Sequence, residues 1–297
     1  MGMVMANGLD LSYDAFGAAE DPALLLVSGL GTQRIRWGDG FCAALAGRGY
    51  HVIRYDNRDA GLSTHLHGAP VPDLGAVIAA LRAGRAPEIP YGLGDMAADA
   101  VALLDALAIP RAHVVGRSMG GMIAQVLACE HPGRVRSLTS VMSGTGNPDL
   151  PQAAPDVMAL MSAPRPDPAL DPEGYVAASL AFARRIAGTG APFDAAHHRW
   201  LVLEEARRGH DPAGAARQLA AMVATGDRRA RLAGITVPTL VIHGTDDPLI
   251  PPACGADTAA AIPGAGLMLV EGMGHDLPAA LDERIVSAID RTARRAA

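Results

Sequence analysis

The stretch His113-Val-Val-Gly-Arg-Ser-Met-Gly-Gly-Met-Ile-Ala-Gln125 decides the fold, because an apolar run ends there and a helical pattern begins. Residues 116–120 match the pattern Gly-x-Ser-x-Gly. A strand, a sharp turn and a helix in this order can expose a serine as a nucleophile, and the glycines avoid clashes beside it. The same residues also fit a glycine-rich connection in which Ser118 only caps the helix. The rest of the chain has to distinguish these two interpretations.

The composition of the 297-residue chain favours a soluble globular protein with a substantial core, since 49% of its residues are hydrophobic. Its net charge is −6, and all 25 basic residues are arginine. Nucleic-acid surfaces normally show a basic patch or stripe, which this sequence lacks, so we expect no nucleic-acid partner. The absence of lysine also excludes a Walker A loop and Schiff-base catalysis.

The cysteines and the N-terminal residues indicate the cellular compartment in which the protein is expected. Cys42, Cys129 and Cys254 are far apart and odd in number, so they indicate neither a disulfide framework nor a metal site. The N-terminus lacks a basic region followed by a long apolar segment, and the apolar run at 23–27 is only strand-sized. We expect a cytoplasmic protein that does not contact a membrane and that binds no metal or cofactor.

Short apolar runs alternate with helical patterns along most of the chain. Strands are predicted at 23–27, 52–55, 112–115, 137–142, 238–243 and 266–271. Helices are predicted at 41–46, 94–108, 119–129 and 278–291. This alternation predicts an α/β fold with a mostly parallel central sheet flanked by helices.

The strand pattern is interrupted between 144 and 234, where prolines are followed by helical patterns that carry Met158, Met161, Trp200 and Met222. Because core strands resume afterwards, this region is predicted to be an inserted helical lid over the carboxyl edge of the sheet. Residues 1–143 and 235–297 would then form one core. A second surface element is predicted at 65–90.

A nucleophilic serine needs a base, and the base needs an orienting acid. His275 follows the strand predicted at 266–271, and Asp246 and Asp247 follow the preceding strand. Taken singly, such residues are more often turn or structural residues. Together with Ser118, in this order, they favour a catalytic triad. We prefer Asp247 because it immediately precedes Pro248, and keep Asp246 as the alternative.

An acyl-transfer site also needs donors for a developing oxyanion. The backbone N–H of Met119, directly after Ser118, is one candidate. The second is expected in the glycine-rich loop after the first predicted strand, where we choose Leu30, with Gly29 next. Without a triad, this loop would be interpreted as a simple glycine turn.

Several segments together resemble the α/β-hydrolase superfamily, across about 8–289. They are Arg54-Tyr-Asp-Asn-Arg-Asp-Ala-Gly-Leu-Ser-Thr64, Ala97-Ala-Asp-Ala-Val101, residues 111–120, Val237-Pro-Thr-Leu-Val-Ile242, Gly272-Met-Gly-His275 and, in the lid, Gly188-Thr-Gly-Ala-Pro-Phe-Asp194. Within the superfamily, the chain is most similar to the bacterial carboxylesterase branch that contains aclacinomycin methylesterase. The resemblance implies the α/β-hydrolase fold and a site built from Ser118 as nucleophile, Asp247 as acid, His275 as base, and Leu30 and Met119 as oxyanion donors. It also implies that Asp56 and Arg58 support the site without taking part in the chemistry.

The expected function is cofactor-free hydrolysis of small hydrophobic esters through an acyl-serine intermediate. A lactonase, a carbon–carbon bond hydrolase or a cofactor-free perhydrolase could use the same triad, and a non-catalytic small-molecule binder could use the same scaffold. A Rossmann nucleotide binder is disfavoured, since Gly116, Gly120 and Gly121 lack the required spacing. A homodimer is compatible with the sequence.

Overall fold

The computed structural model describes residues 1–296, and its centre is a sheet of eight strands in the order β1-β2-β4-β3-β5-β6-β7-β8. The strands are β1 (Gly2–Ala6), β2 (Leu9–Phe16), β3 (Ala23–Val27), β4 (His51–Tyr55), β5 (Ala112–Arg117), β6 (Val135–Val141), β7 (Thr239–Gly244) and β8 (Gly266–Val270). β2 pairs antiparallel with β1 and β4, whereas all other neighbouring pairs are parallel. The predicted mostly parallel sheet is therefore confirmed.

Helices cover both faces of this sheet and fill the long segment between β6 and β7. They are α1 (Asp39–Ala46), α2 (Leu74–Arg82), α3 (Leu93–Ala106), α4 (Met119–Glu130), α5 (Pro155–Ser162), α6 (Pro172–Ile186), α7 (Ala195–Arg208), α8 (Pro212–Thr225), α9 (Arg229–Leu232), α10 (Pro252–Ala261) and α11 (Asp282–Ala293). The last helix begins four residues later than predicted, because a short 3₁₀ turn at Ala279–Leu281 precedes it.

The sheet separates two apolar clusters, and β3 contributes to both. Leu25 and Val27 pack on one side with residues of α3 and α4, while Leu24 and Leu26 pack on the other side with α1 and α11. All five residues of β3 are buried, as expected for a central parallel strand covered on both faces. Because both faces of β3 are covered, all of its side chains are apolar, which explains the apolar run at 23–27.

The segment predicted as a lid contains α5 to α9, and three of these helices begin at an aspartate that caps them. Asp171, Asp194 and Asp211 accept backbone N–H bonds from Gly174, His197 and Gly214 at 2.9, 2.9 and 2.8 Å. Such caps satisfy donors that have no partner within a helix. Within the described residues, no helix is long and apolar enough to span a membrane.

Candidate active site

Ser118 occupies the sharp turn between β5 and α4. Its backbone lies at φ 55° and ψ −125°, a region that residues other than glycine rarely adopt. The Ser118 N–H donates to Val141 O at 2.9 Å, and the Ser143 hydroxyl donates to Ser118 O at 2.8 Å. These two bonds hold the turn, with the serine side chain at the carboxyl edge of the sheet.

The glycines beside Ser118 are required by close packing. A β-carbon at Gly116 would overlap the carbonyl oxygen of Gly120, and one at Gly120 would overlap that of Val27. The Ser118 side chain makes no capping hydrogen bond to α4. The interpretation of Ser118 as a mere helix cap is therefore wrong.

Three side chains form a hydrogen-bonded chain at this edge. His275 Nε2 lies 2.9 Å from Ser118 Oγ, and His275 Nδ1 lies 2.7 Å from Asp247 Oδ2. The other carboxylate oxygen of Asp247 accepts the N–H groups of Leu249 and Ile250, both at 2.9 Å. With Asp247 ionised, Nδ1 carries the proton and Nε2 is free to accept the serine proton. The arrangement can transfer a proton from Ser118 to His275.

Asp246, the alternative acid, points elsewhere. Its carboxylate accepts hydrogen bonds from the hydroxyls of Thr189 and Thr245, and the bond from Thr189 is the main cause of its lowered pKa. His243 also takes no part in the hydrogen bonds between Ser118, His275 and Asp247. The Nε2 of His243 donates to Ile250 O at 2.8 Å, and burial lowers the pKa of His243. Of the two aspartates, Asp247 alone contacts His275.

The candidate oxyanion donors lie at two neighbouring turns. The loop after β3 passes against the nucleophile, since a β-carbon at Gly29 would lie 3.2 Å from Ser118 Cβ. Among residues 1–296, the backbone N–H groups of Leu30 and Met119 donate to no protein acceptor, and the same holds for Gly29. These N–H groups are therefore available to a ligand.

Asp56 and Arg58 lie in the loop after β4, which their side chains stabilise. The buried Asp56 carboxylate accepts the Arg34 N–H at 2.7 Å and the Arg208 guanidinium at 2.6 Å. Arg58 forms a two-point ion pair with Asp99 of α3, with both bonds at 2.6 Å. Their side chains therefore tie elements together, in keeping with the supporting role that the resemblance implies.

Arg117 precedes the nucleophile, and its side chain is buried. The guanidinium donates to Arg36 O at 3.2 Å, faces Asp276 at 3.9 Å, and lies 5.8 Å from the ring centre of Trp37. Burial lowers the pKa of Arg117. Burial alone would raise the pKa of Asp276. The hydrogen bond with His198 of α7, at 3.2 Å, and the charge of Arg117 outweigh burial and bring this pKa to about 2. These groups connect α7 to the residue after His275.

The connection between α6 and α7 also contacts the loop of His275. Backbone bonds join His275 N to Ile186 O at 2.6 Å, Gly274 N to Ala187 O at 3.1 Å, and Thr189 N to Gly272 O at 2.8 Å. The triad prediction did not include these residues. The sequence feature that marks this connection is Gly188-Thr-Gly190, which appears in the sequence analysis only as part of the family resemblance.

Replacing Gly188 by alanine is expected to lower kcat by about tenfold or more, because a misplaced catalytic group costs rate steeply. Gly188 has φ +86°, and a β-carbon there would overlap the backbone nitrogen of Gly274, next to His275. Gly226→Ala is the matched control, since that glycine has φ +59° but open space around it. The control should lose thermal stability but keep kcat. Equal effects on kcat in both variants would contradict a role for Gly188 in positioning His275.

Two other features could suggest a ligand site. Asp59, His65 and Asp211 place three ligand atoms within 4.8 Å of one another, but the Arg217 guanidinium already binds both oxygens of Asp59 at 2.8 Å. A surface pocket of about 550 Å³ is lined by Asp246 and Arg184 and does not include Ser118. The cluster around Asp59 is therefore an ion-pair network. The pocket opens beside the loop that carries Asp246 and does not reach the hydrogen-bonded side chains of the triad.

Comparison with known proteins places the chain in a family. Residues 22–278 match the model of the alpha/beta hydrolase fold family. The rhodomycin D methylesterase DauP of Streptomyces sp. strain C5 is 32% identical, over 97% of this chain and 96% of its own. RutD of Variovorax paradoxus strain S110, provisionally named a carbamate hydrolase, is 33% identical over 90% of each chain.

Solved structures agree on the fold. An enol-lactonase from Burkholderia xenovorans LB400 superimposes with a TM-score of 0.69 over 99% of both chains, at 24% identity. A hydrolase from Pseudomonas aeruginosa PA01 gives a TM-score of 0.68 at 26% identity, over 99% of this chain and 97% of its own. The predicted fold class is confirmed.

Proposed function

The chain belongs to the α/β-hydrolase fold family, and on that premise we propose that it is a serine hydrolase that cleaves carboxylic esters of small hydrophobic molecules. The observation that carries the proposal is the hydrogen-bonded chain from Ser118 through His275 to Asp247. A base within 2.9 Å of a hydroxyl, itself oriented by a buried carboxylate, is the arrangement that activates serine for attack on a carbonyl.

In the first half of the reaction, Ser118 Oγ attacks the ester carbonyl while His275 Nε2 takes its proton. Asp247 holds the imidazole in the productive tautomer and stabilises its positive charge. The negative oxygen of the tetrahedral intermediate is bound by the N–H groups of Met119 and Leu30. His275 then protonates the departing alcohol, which leaves an acyl-serine.

In the second half, His275 takes a proton from water, and the hydroxide attacks the acyl-serine carbonyl. Collapse of the second intermediate releases the carboxylic acid and returns the proton to Ser118. Apart from the substrate and one water molecule, each of these steps uses side chains and backbone groups of this chain.

We assign residues 144–234 as a lid on the core formed by 1–143 and 235–297. Support comes from backbone bonds between 186–189 and the loop of His275, and from backbone N–H groups of the loop after β3 that donate to the side chains of Glu205 in α7 and Gln218 in α8. A lid that contacts both loops can exclude water from the reacting ester and strengthen the electrostatic interactions there.

Partly buried apolar side chains support a hydrophobic substrate. Leu30, Leu66, Met222 and Ile250 pack against the cluster that contains Met119. By contrast, Met158, Trp200 and Leu203 of the lid are exposed, so they contribute little to this inference. Two relatives named as rhodomycin D methylesterases, at 32% and 31% identity, favour an ester of a small alcohol.

Carbamate hydrolysis is the second candidate, because RutD is 33% identical to this chain and the same serine could attack a carbamate carbonyl. In that case, attack by Ser118 would give a carbamoyl-serine in place of an acyl-serine. The rest of the cycle would use the same three side chains.

Hydrolysis of a p-nitrophenyl ester series from acetate upwards tests the proposal. We expect saturable turnover of at least one ester, with kcat in the ordinary enzyme range of about 1–10³ s⁻¹. A simple lactone and an alkyl carbamate are assayed in parallel. Cleavage of the lactone or the carbamate without any ester turnover would contradict the proposed substrate class.

A further inference from the structure

Gln218 of α8 contacts the loop that carries the second candidate oxyanion donor. Its side chain is fully buried, although it is polar. Gln218 Oε1 accepts the Gly31 N–H at 2.8 Å, and Gln218 Nε2 donates to Arg58 O at 2.7 Å. Since an N–H can only donate and a carbonyl can only accept, these two partners also fix the orientation of the amide. One lid side chain thus joins the loop after β3 to the loop after β4.

The two peptide groups around Leu30 are both held by hydrogen bonds. Gly29 O accepts the Thr32 N–H at 3.3 Å and the Thr32 hydroxyl at 3.1 Å. A trans peptide directs its N–H opposite to its carbonyl, so these bonds also set the direction of the Leu30 N–H. The next peptide is held at the Gly31 N–H by Gln218.

We propose that Gln218 is a positioning residue that orients the Leu30 N–H as an oxyanion donor, so that the lid completes the oxyanion hole. This inference rests on the proposed serine hydrolase function. The lid then contributes to the chemical step as well as covering the substrate. Gln218 itself touches no reacting atom and acts through the Leu30–Gly31 peptide.

A second contact makes the loop more rigid but does not replace Gln218. Gln33 Nε2 donates to Glu205 O of α7 at 2.7 Å and to Gly209 O at 3.1 Å. This contact lies two residues beyond Gly31 and leaves the Leu30–Gly31 peptide free to rotate if Gln218 is lost. Without Gln218, the direction of the Leu30 N–H would rest on the Thr32 bonds to Gly29 O, of which the backbone bond is long at 3.3 Å, so the turn would be less firmly held.

Gln218→Met tests the inference, because methionine has a similar shape but cannot bond Gly31 or Arg58. We expect kcat for ester hydrolysis to fall by about 10- to 100-fold, while KM changes little. This loss is smaller than the loss of kcat that follows complete removal of an oxyanion donor. A trifluoromethyl ketone forms an oxyanion adduct with a reactive serine, and its inhibition constant should rise by the same factor as kcat/KM falls.

Two further variants separate positioning from stability. Gln218→Glu keeps an oxygen for the Gly31 N–H and loses the donor to Arg58, so it should retain more of kcat than Gln218→Met. Ala221→Gly weakens the same helix by about 1 kcal/mol and leaves both hydrogen bonds of the Gln218 side chain in place, so it should lower the melting temperature with kcat unchanged. All rates are compared well below each melting temperature.

The outcomes distinguish this inference from the proposed function. If the wild type hydrolyses esters and Gln218→Met is equally fast, or changes only KM, the inference fails and the proposed function stands. An equal loss of kcat in Ala221→Gly and Gln218→Met would also overturn it, since the effect would then be general loosening of the lid. A wild type that neither hydrolyses esters nor binds the ketone would overturn both.

Discussion

Replacement of Ser118 by alanine is expected to lower kcat for ester hydrolysis by about 10⁴- to 10⁶-fold. Alanine removes the attacking oxygen, and the remaining oxyanion donors give only weak catalysis by bound water. The fold should persist, because the backbone bonds of residue 118 to Val141 and Ser143 do not involve its hydroxyl. Initial rates on the best p-nitrophenyl ester, together with the melting temperature, measure both effects.

Ser137→Ala is the control for loss of a buried serine hydroxyl. Ser137 lies near the start of β6, and its hydroxyl bonds His113 Nδ1 at 2.9 Å, at the sheet edge opposite to Ser118. This variant should keep kcat within about threefold, whatever it loses in stability. A Ser118→Ala variant that retained several per cent of wild-type turnover would contradict the assignment of Ser118 as nucleophile.

Replacement of Asp247 by asparagine is expected to lower kcat by about 10⁴-fold with little change in structure. The Leu249 and Ile250 N–H groups both need an acceptor, so they hold the amide oxygen on their side. The amide nitrogen must then face His275 and donate to Nδ1. This forces the tautomer in which Nε2 carries the proton and cannot take one from Ser118.

Asp246→Asn is the matched control, since it makes the same change at the adjacent residue. Its carboxylate bonds Thr189 and Thr245, not His275, and we expect kcat within about threefold of the wild type. Both variants are compared across pH on the same ester. A large loss in Asp246→Asn, with Asp247→Asn unaffected, would reverse the assignment of the acid.

The sequence predicted the fold class because central strands of a parallel sheet are buried on both faces and appear as short apolar runs. β3, β5 and β7 all carry this signal. The edge strand β1 was not predicted, although it reads Gly-Met-Val-Met-Ala: Met3 and Met5 on it are exposed, so its apolar run does not mark a strand buried on both faces. Helix α10 was not predicted either, because its small residues bury only Gly255 and Thr258.

The candidate site was predicted where a residue type and its local position carry the signal. Ser118 follows a strand between glycines, and His275 and Asp247 each follow a later strand; the structure brings the three side chains into hydrogen-bonding distance. Gln218 could not be found this way, since it is an ordinary helical residue whose partner Gly31 lies 187 positions away. Contacts between distant segments leave no trace in local sequence patterns.

Labelling of the wild type with a fluorophosphonate, followed by mass spectrometry of the tryptic peptides, tests the central claim most directly. The probe phosphonylates a serine only where a base and oxyanion donors activate it. We predict one adduct, on Ser118 in the peptide that begins after Arg117, and its loss in Ser118→Ala. An adduct on another residue, or ester hydrolysis that continues without any adduct on Ser118, would contradict the proposed mechanism.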